Sequence, residues 1–307
     1  MRNAFRVRFW LGEFDKERNP YTNIPESKLL AKEHQELSYK AAQEQVVLLK
    51  NEAETLPLQS SNVHKVAVLG PLCNDVHADW YSGTPSYRIT PLDGIRSKIE
   101  EKEVVSHEGY HLVKIRSKQT GHYIGIDSDD EYKLVADKNI NDAEVFQFTD
   151  WGWGSQTLKS TTTGKFVTTG DTYLTATAEE ARGWFVKELF TLTKKETTKL
   201  NAWDGQSIWI GENGRLQIGD NKIEHSDLFE IETVENGLEE AVKLASHADT
   251  AIVFVGNSPF INGKETIDRK DIILPPDQEH LVRAVKEVNK NVIVVIVSSY
   301  PYAVNCR

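Results

Sequence analysis

The sequence predicts an α/β sandwich, with a mostly parallel sheet and flanking helices, interrupted by an all-β trefoil domain. Two observations predict the α/β part: short continuous Val/Ile runs, and the helical patterns that separate them. A third predicts the interruption. Between residues 112 and 233 the texture changes to short alternating strands with Gly, Asn and Asp turns, and this pattern occurs three times.

Residues 34 to 50, HQELSYKAAQEQVVLLK, place Leu37, Ala41, Ala42, Val46, Val47 and Leu49 near helical spacing, which predicts one amphipathic helix ending near Asn51. KVAVLGP, from Lys65, is an apolar run stopped by Gly70 and Pro71, the pattern of a buried strand opening into a loop. PLDGIRSKI carries Leu92, Ile95 and Ile99 on one face and predicts a helix, with EVVSHEG as the next strand. The alternation returns near the end of the chain. GLEEAVKLASHA reads as a helix, DTAIVFVG as a strand, DQEHLVRAVKEVN as a helix, and VIVVIVSS as a fully buried strand.

In the interruption, VKIRS, QTLKS and TKLNA set Ile115, Leu158 and Leu200 at intervals of 43 and 42 residues. GHYIG, KLVA and FQF follow in the first unit, GKFV, YLTA and FTL in the second, and QSIWI, RLQI and FEI in the third. Such a unit is a set of hairpins that cannot bury its apolar face alone, so three closing on one another predict a β-trefoil. The pattern is similar to trefoils of the fascin-like and ricin-like kind. Its core needs the same Leu, Ile and Phe whether or not it binds a ligand.

The 307 residues suit two domains, and a chain 39% hydrophobic and 27% charged has the composition of a soluble globular protein. The net charge of −10 argues against nucleic acid, whose binding needs a basic surface. No run is apolar enough to span a membrane, and MRNAFRVRFWLGEFDKERNP lacks the apolar core of a signal peptide; a cytoplasmic location follows only if Met1 is the true start. Cys73 and Cys306 are far apart and lack metal-ligand spacing, so no disulfide framework, metal site or cofactor is indicated.

The segment NSPFINGKETIDRKDIILPPDQEHL follows the strand AIVFVG and precedes a helix. Functional groups in open parallel sheets gather beyond the carboxyl ends of the strands, which singles out Glu265, Asp268 and Arg269. Gly263 allows close approach of a substrate or a neighbouring backbone. Glycoside cleavage requires one carboxyl group to protonate the departing oxygen and a second to stabilise or attack the sugar. Glu265 suits the first role where its setting is partly desolvated. The plainer reading is a solvated loop Glu, with Asp268 and Arg269 as a local ion pair. Five of the seven tryptophans, Trp151, Trp153, Trp184, Trp203 and Trp209, fall in the insert. The WGWG stretch makes Trp151 and Trp153 a candidate glycan platform, the alternative being core packing. Trp80, in HADWYSGTP, either lines a cleft or packs its loop together with Tyr81.

Several separated stretches resemble family 3 glycoside hydrolases of the β-glucosidase/β-xylosidase type, in that family's order. FWLGEFDKERNPY is similar to the strip leaving the family's catalytic barrel, and AAQEQVVLLKNEAETLPL to the helix and turn after it. VAVLGPLCNDVHADWYSGTP and ITPLDGI are similar to the first strand and loops of its α/β sandwich. GKETIDRKDIILPPDQEHLVRAV and VIVVIVSSYPYAVN are similar to its acid/base loop and the elements that follow. The resemblance implies that Glu265 is the general acid/base, while Asp268 and Arg269 shape the loop and the substrate pocket. Many relatives have Glu-Gly or Glu-Ala where this chain has Gly263 and Lys264; a cation there favours an ionised Glu265 if the two side chains are close.

The resemblance also implies an Asp nucleophile on a preceding barrel domain that this chain lacks. The organisation expected is a connecting strip from the missing barrel (1–33), the first part of the sandwich (34–111), the trefoil insertion (112–233) and a truncated second part (234–307). The function implied is that of a fragment of a retaining glycoside hydrolase cleaving terminal β-linked glucose or xylose, inactive alone, with a carbohydrate substrate and the barrel as partners. The alternative is a non-catalytic carbohydrate-binding or interaction module acting through the trefoil.

Overall fold

The computed structural model describes residues 1–52, 54–99, 102–194, 198–219, 228–265 and 269–304. It divides into two compact units, Met1–Leu56 and Pro57–Arg307. The first carries helices α1 (Arg2–Trp10) and α2 (Lys32–Gln45), neither of which buries a residue. Spaced ion pairs, Lys32 with Glu36 and Lys40 with Glu44, support α2 along its surface. The helix stops at Gln45 rather than near Asn51, because β-branched Val46 turns to extended backbone at its end. The apolar residues Val46 to Leu49 are all exposed within this unit.

In the second unit β1 (Lys65–Leu69), α3 (Pro91–Lys98) and β2 (Glu103–His107) come first. Thr90 caps α3 reciprocally: its hydroxyl accepts from the Asp93 amide, and the Asp93 carboxylate accepts from the Thr90 amide. Pro91 at the first helical position fits a site whose amide has no partner within the helix.

Among the described residues, twelve strands follow in three sets of four. These are β3 (His111–Ser117), β4 (Tyr123–Asp127), β5 (Lys133–Lys138) and β6 (Phe146–Asp150); β7 (Gln156–Ser160), β8 (Phe166–Thr169), β9 (Leu174–Ala178) and β10 (Phe190–Lys194); and β11 (Thr198–Ala202), β12 (Ser207–Ile210), β13 (Leu216–Gly219) and β14 (Leu228–Glu235). The chain returns through α4 (Gly237–Ser246), β15 (Thr250–Gly256), α5 (Pro276–Val288) and β16 (Val292–Val297).

The first and last strands of this unit form one parallel sheet in the order β16-β15-β1-β2. Alternate residues of β1 divide between two cores. Val66 and Val68 pack with Leu92 of α3, whereas Ala67 and Leu69 pack with Ala241 of α4 and Val282 of α5. Both faces are therefore covered, and the strand sequences read as continuous apolar runs for that reason. β16 is only half-buried, not fully buried as its sequence suggests. It is the edge strand, so its apolar run is covered less completely than those of its inner neighbours.

The strands of the insert pair mainly antiparallel. β3, β6, β7, β10, β11 and β14 pair in succession, and β14 returns to β3, closing a ring of six. The remaining strands form the hairpins β4–β5, β8–β9 and β12–β13. Bridges join these hairpins to one another, at Lys133 with Thr175, Val135 with Arg215, and Tyr173 with Gln217. Residues at matching places in the three repeats share one core: Ile115, Leu158 and Leu200; Leu134, Leu174 and Leu216; Phe146, Phe190 and Phe229. The insert begins and ends at nearly the same point, since a Cβ added to Gly237 would lie 1.9 Å from the carbonyl oxygen of Tyr110.

The insert is not an independent appendage. Its Trp151, Val186 and Leu189 are buried in the same core as Val66, Val68, Ile252 and Phe254 of the parallel sheet.

Candidate active site

From β1 the chain crosses to β2 on one side, and from β15 it crosses to β16 on the other. The loops leaving the carboxyl ends of β1 and β15 thus diverge at a topological switch point, where open α/β sheets form a crevice. The first of these loops carries Trp80 and Tyr81, and the second carries Glu265.

The second loop is held at its base. Gln278 in the first turn of α5 is buried, accepting from the Gly256 amide at 2.8 Å and donating to the Gly256 carbonyl at 3.0 Å, which fixes the end of β15. Asn257, Ser258, Phe260, Ile261 and Asn262 are buried in succession. Asn262 accepts from the Ser258 amide at 2.8 Å and donates to the Trp151 carbonyl of the insert at 2.7 Å. Gly263 has φ +150°, and a Cβ there would lie 2.9 Å from Asn257 Nδ2. The close approach expected at Gly263 is to this neighbouring side chain. The Gly263 carbonyl accepts from the Tyr300 hydroxyl at 3.1 Å.

Beyond this rigid base Glu265 is exposed, and its carboxylate accepts a short hydrogen bond from the Tyr81 hydroxyl. That bond pushes the Tyr81 phenol above its usual pKa, since losing the proton would set two negative oxygens together. Tyr81 is itself placed by a local turn, in which Asp79 accepts from the amides of Tyr81 and Ser82 and from the Ser82 hydroxyl. These bonds, the hydroxyl's foremost, hold the Asp79 carboxyl below its usual range.

Lys264 forms no ion pair with Glu265; it is half-buried, and burial pushes its ammonium group below the usual pKa. Arg269 lies between the rings of Tyr300 and Tyr302, 4.7 and 4.8 Å from their centroids, and donates to the Pro301 carbonyl at 3.1 Å. It clamps residues 299–304, after β16, to the loop after β15. Asp268 lies outside the described residues, and so does any ion pair it would make with Arg269.

Trp80 is half-buried; its indole NH donates to the Gly183 carbonyl at 3.1 Å and its ring stacks on Trp184 with centroids 4.4 Å apart. Trp151 is only 7% exposed, donates to the Thr157 hydroxyl at 3.1 Å and meets His77 edge-on. A ring so enclosed offers no face to a sugar, and Trp153 beside it is half-buried. The WGWG stretch instead joins the insert to the loop of Glu265. Tyr81, expected from the sequence only as a packing partner of Trp80, contacts Glu265, and Trp184, expected only as one of the tryptophans of the insert, stacks on Trp80. Tyr81 had a signal in the Asp79-x-x-Ser82 turn, which presents the two intervening side chains.

Among the described residues no group of three His, Cys, Asp or Glu side chains is placed to hold a metal ion, and no helix is long and apolar enough to cross a membrane. Cys73 is buried, and burial with Glu108 nearby pushes its thiol up to about 12. Cys306 lies outside the described residues.

Residues 46–307 match the Glycosyl hydrolase family 3 C-terminal domain. A probable β-D-xylosidase of Arabidopsis thaliana is 39% identical over 111 residues, 35% of this chain and 14% of that protein. An exo-1,4-β-xylosidase of Emericella nidulans is 41% identical over 88 residues, 28% of this chain and 11% of that protein. The chain thus spans a small part of the length of these relatives. A β-glucosidase from Kluyveromyces marxianus, solved with glucose, shares the fold at a TM-score of 0.51 and 18% identity, over 96% of this chain and 40% of that one. Parallel sheet, switch-point loops and sequence agree, and the chain belongs to glycosyl hydrolase family 3, of which it carries the C-terminal domain.

Proposed function

We propose that this chain supplies the general acid/base, Glu265, to a retaining glycoside hydrolase that removes terminal β-linked xylose or glucose. The observation that carries the proposal is the placing of Glu265: an exposed carboxylate on a buried, cross-braced loop at the switch point of a family 3 C-terminal domain. The xylosidase names of the relatives favour xylose. In the first step Glu265 protonates the departing glycosidic oxygen while an Asp on a separate barrel domain attacks the anomeric carbon. In the second step Glu265, now a carboxylate, takes a proton from water as that water displaces the Asp. Tyr81 holds the carboxylate in place, and Arg269 holds the loop. Substrate and barrel together provide the desolvation that keeps the acid protonated before cleavage.

Turnover requires both carboxyl groups, so this reading concerns Glu265 acting together with a nucleophile. The closed ring of six strands, its three linked hairpins and the threefold core support reading the insert as a β-trefoil. A non-catalytic glycan-binding role through WGWG loses its platform, since Trp151 faces inward.

The test is kinetic, on the enzyme assembled with its barrel. Glu265→Ala should slow cleavage of substrates with poor leaving groups about 10²- to 10⁴-fold and barely slow formation of the glycosyl-enzyme from those with good ones. Equal loss on both classes would remove Glu265 from the acid role.

A further inference from the structure

The insert joins the parallel sheet through a stem, with residues 107–111 leading out and residues 235–238 leading back. Two histidines stand on it. His107 ends β2, and its Nδ1 accepts from the Gly109 amide at 3.0 Å. His111 opens β3, and its Nδ1 accepts at 3.2 Å from the amide of Gly237, the first residue of α4. A backbone amide can only donate, so neither ring carries a proton on Nδ1. The His111 bond also crosses from the outgoing strand to the returning one and ties the stem. Asn236 accepts from the next two amides, those of Leu238 and Glu239, so His111 completes the cap of α4 from the opposite strand.

A proton added to either ring reverses these bonds. Nδ1–H would then face an N–H, and at His111 the new positive charge would stand at the positive end of α4. The Nε2 atom of His107 is already buried without a hydrogen-bond partner among the described residues, so its imidazolium would leave two donors unpaired. Burial holds the His107 ring below its usual pKa of 6.5, against the upward pull of Glu235 and Glu240 and together with the repulsion of His111. The contribution of the neutral ring is therefore whole above pH 6.5 and is lost as pH falls below that value through the folded pKa. Other groups face the stem from every side. Glu108, Asp150 and, from α5, Asp277 and His280 line the same cavity of about 130 Å³ as His111, which gives a proton its path from solvent. Glu239 and Glu240 belong to the first turn of α4, Glu235 ends β14, and the Tyr110 ring lies 4.7 Å from that of His107. Lys159 and Asp75 act on Glu108.

We propose that His107 and His111 form an acid-released latch, which holds the insert against the parallel sheet while both rings are neutral and frees it when they take up protons. The opening is a sub-global fluctuation of the folded chain, and acid raises its population. The latch does not depend on the glycosidase reading. It bears on the same site, because the bond from Asn262 to the Trp151 carbonyl crosses the seam that the latch keeps closed. Release of the insert removes that brace from the loop of Glu265.

The test is amide hydrogen exchange of the 307-residue chain, with each rate divided by the intrinsic rate at its pH. Rates are read at about pH 7.5 and about pH 5, on either side of the histidine range. The variant carries His107→Asn and His111→Asn, since the Asn side-chain oxygen stands close to the place of Nδ1, accepts the same amide and does not titrate. Glu108, whose contribution runs in the opposite sense, is present in both chains and cancels in the ratio of their rates. That ratio, unaltered chain over variant, should rise about tenfold on acidification in residues 234–241 of the stem. It should rise with it in residues 149–156, where Trp151 enters the shared core. His111→Leu, which removes the acceptor, should exchange fast in the stem at both pH values. Should the double variant fail to melt cooperatively, the two single Asn variants are read in its place, each expected to remove part of the acid-induced exchange. A ratio that is the same at both pH values, or a rise confined to residues 234–241, overturns the latch.

Discussion

At the scale of single residues, Glu265 is an exposed end on a stiff support. The support comes from groups that do no chemistry, chiefly Asn262 reaching the insert, Tyr300 reaching Gly263 and Arg269 lying between two tyrosine rings. Arg269→Lys keeps the charge but loses the planar face that stacks on both rings. It should lower stability by about 1–2 kcal/mol in urea unfolding, a loss that a merely charged surface residue would not cause. The loop of Glu265 and Arg269 was legible as a candidate because it follows a continuous apolar strand. Tyr81 and Trp184 were not, because their partners lie far off in sequence, 184 residues away in the pairing of Tyr81 with Glu265. A periodicity of two or 3.6 carries no trace of such a contact.

Among the elements, threefold recurrence was the most readable feature. Ile115, Leu158 and Leu200 occupy the same place in successive units because a shared core admits only apolar side chains at that place. Burial at strand and helix ends was less readable. Val46 to Leu49 continue a helical spacing, yet the β-branched pair ends the helix, and the Val/Ile run of β16 says nothing about whether a strand lies on its far side. The seam between the two halves is set by backbone contact at Gly237, where Tyr110 leaves no room for a Cβ. Gly237→Ala should therefore destabilise by at least about 2 kcal/mol in equilibrium denaturation, far more than the same change at an exposed helix start.

Near that seam Glu108 lines a cavity of about 130 Å³ with His111 and Asp150, and burial pushes its carboxyl above the usual value of 4.5. The unfolded chain gives up this proton near pH 4.5, whereas the folded chain keeps it to a higher pH. Its contribution to stability is thus present at low pH and falls as pH rises through that window. Glu108→Gln should raise the melting temperature at neutral pH and flatten its decline above pH 4.5. A variant that melts in parallel with the unaltered chain at every pH would contradict this assignment.

For the molecule as a whole, the insert and the parallel sheet share a core, so residues 57–307 should unfold in one cooperative step. Trp151→Ala, which empties the centre of that shared core, should cost about 3–5 kcal/mol, and calorimetry resolving two independent transitions in the unaltered chain would contradict the coupling. The same coupling brings the insert to the loop of Glu265: Asn262 and Arg182 join the two across the seam.

The central claim concerns Glu265, and its most direct test is rescue by azide of Glu265→Ala in the enzyme assembled with its barrel. With the acid/base removed, an activated aryl glycoside still forms the glycosyl-enzyme, and azide enters from the face that Glu265 served. The expected result is recovered turnover yielding a β-configured glycosyl azide. No rescue, or an α-configured azide, would show that Glu265 does not serve as the acid/base.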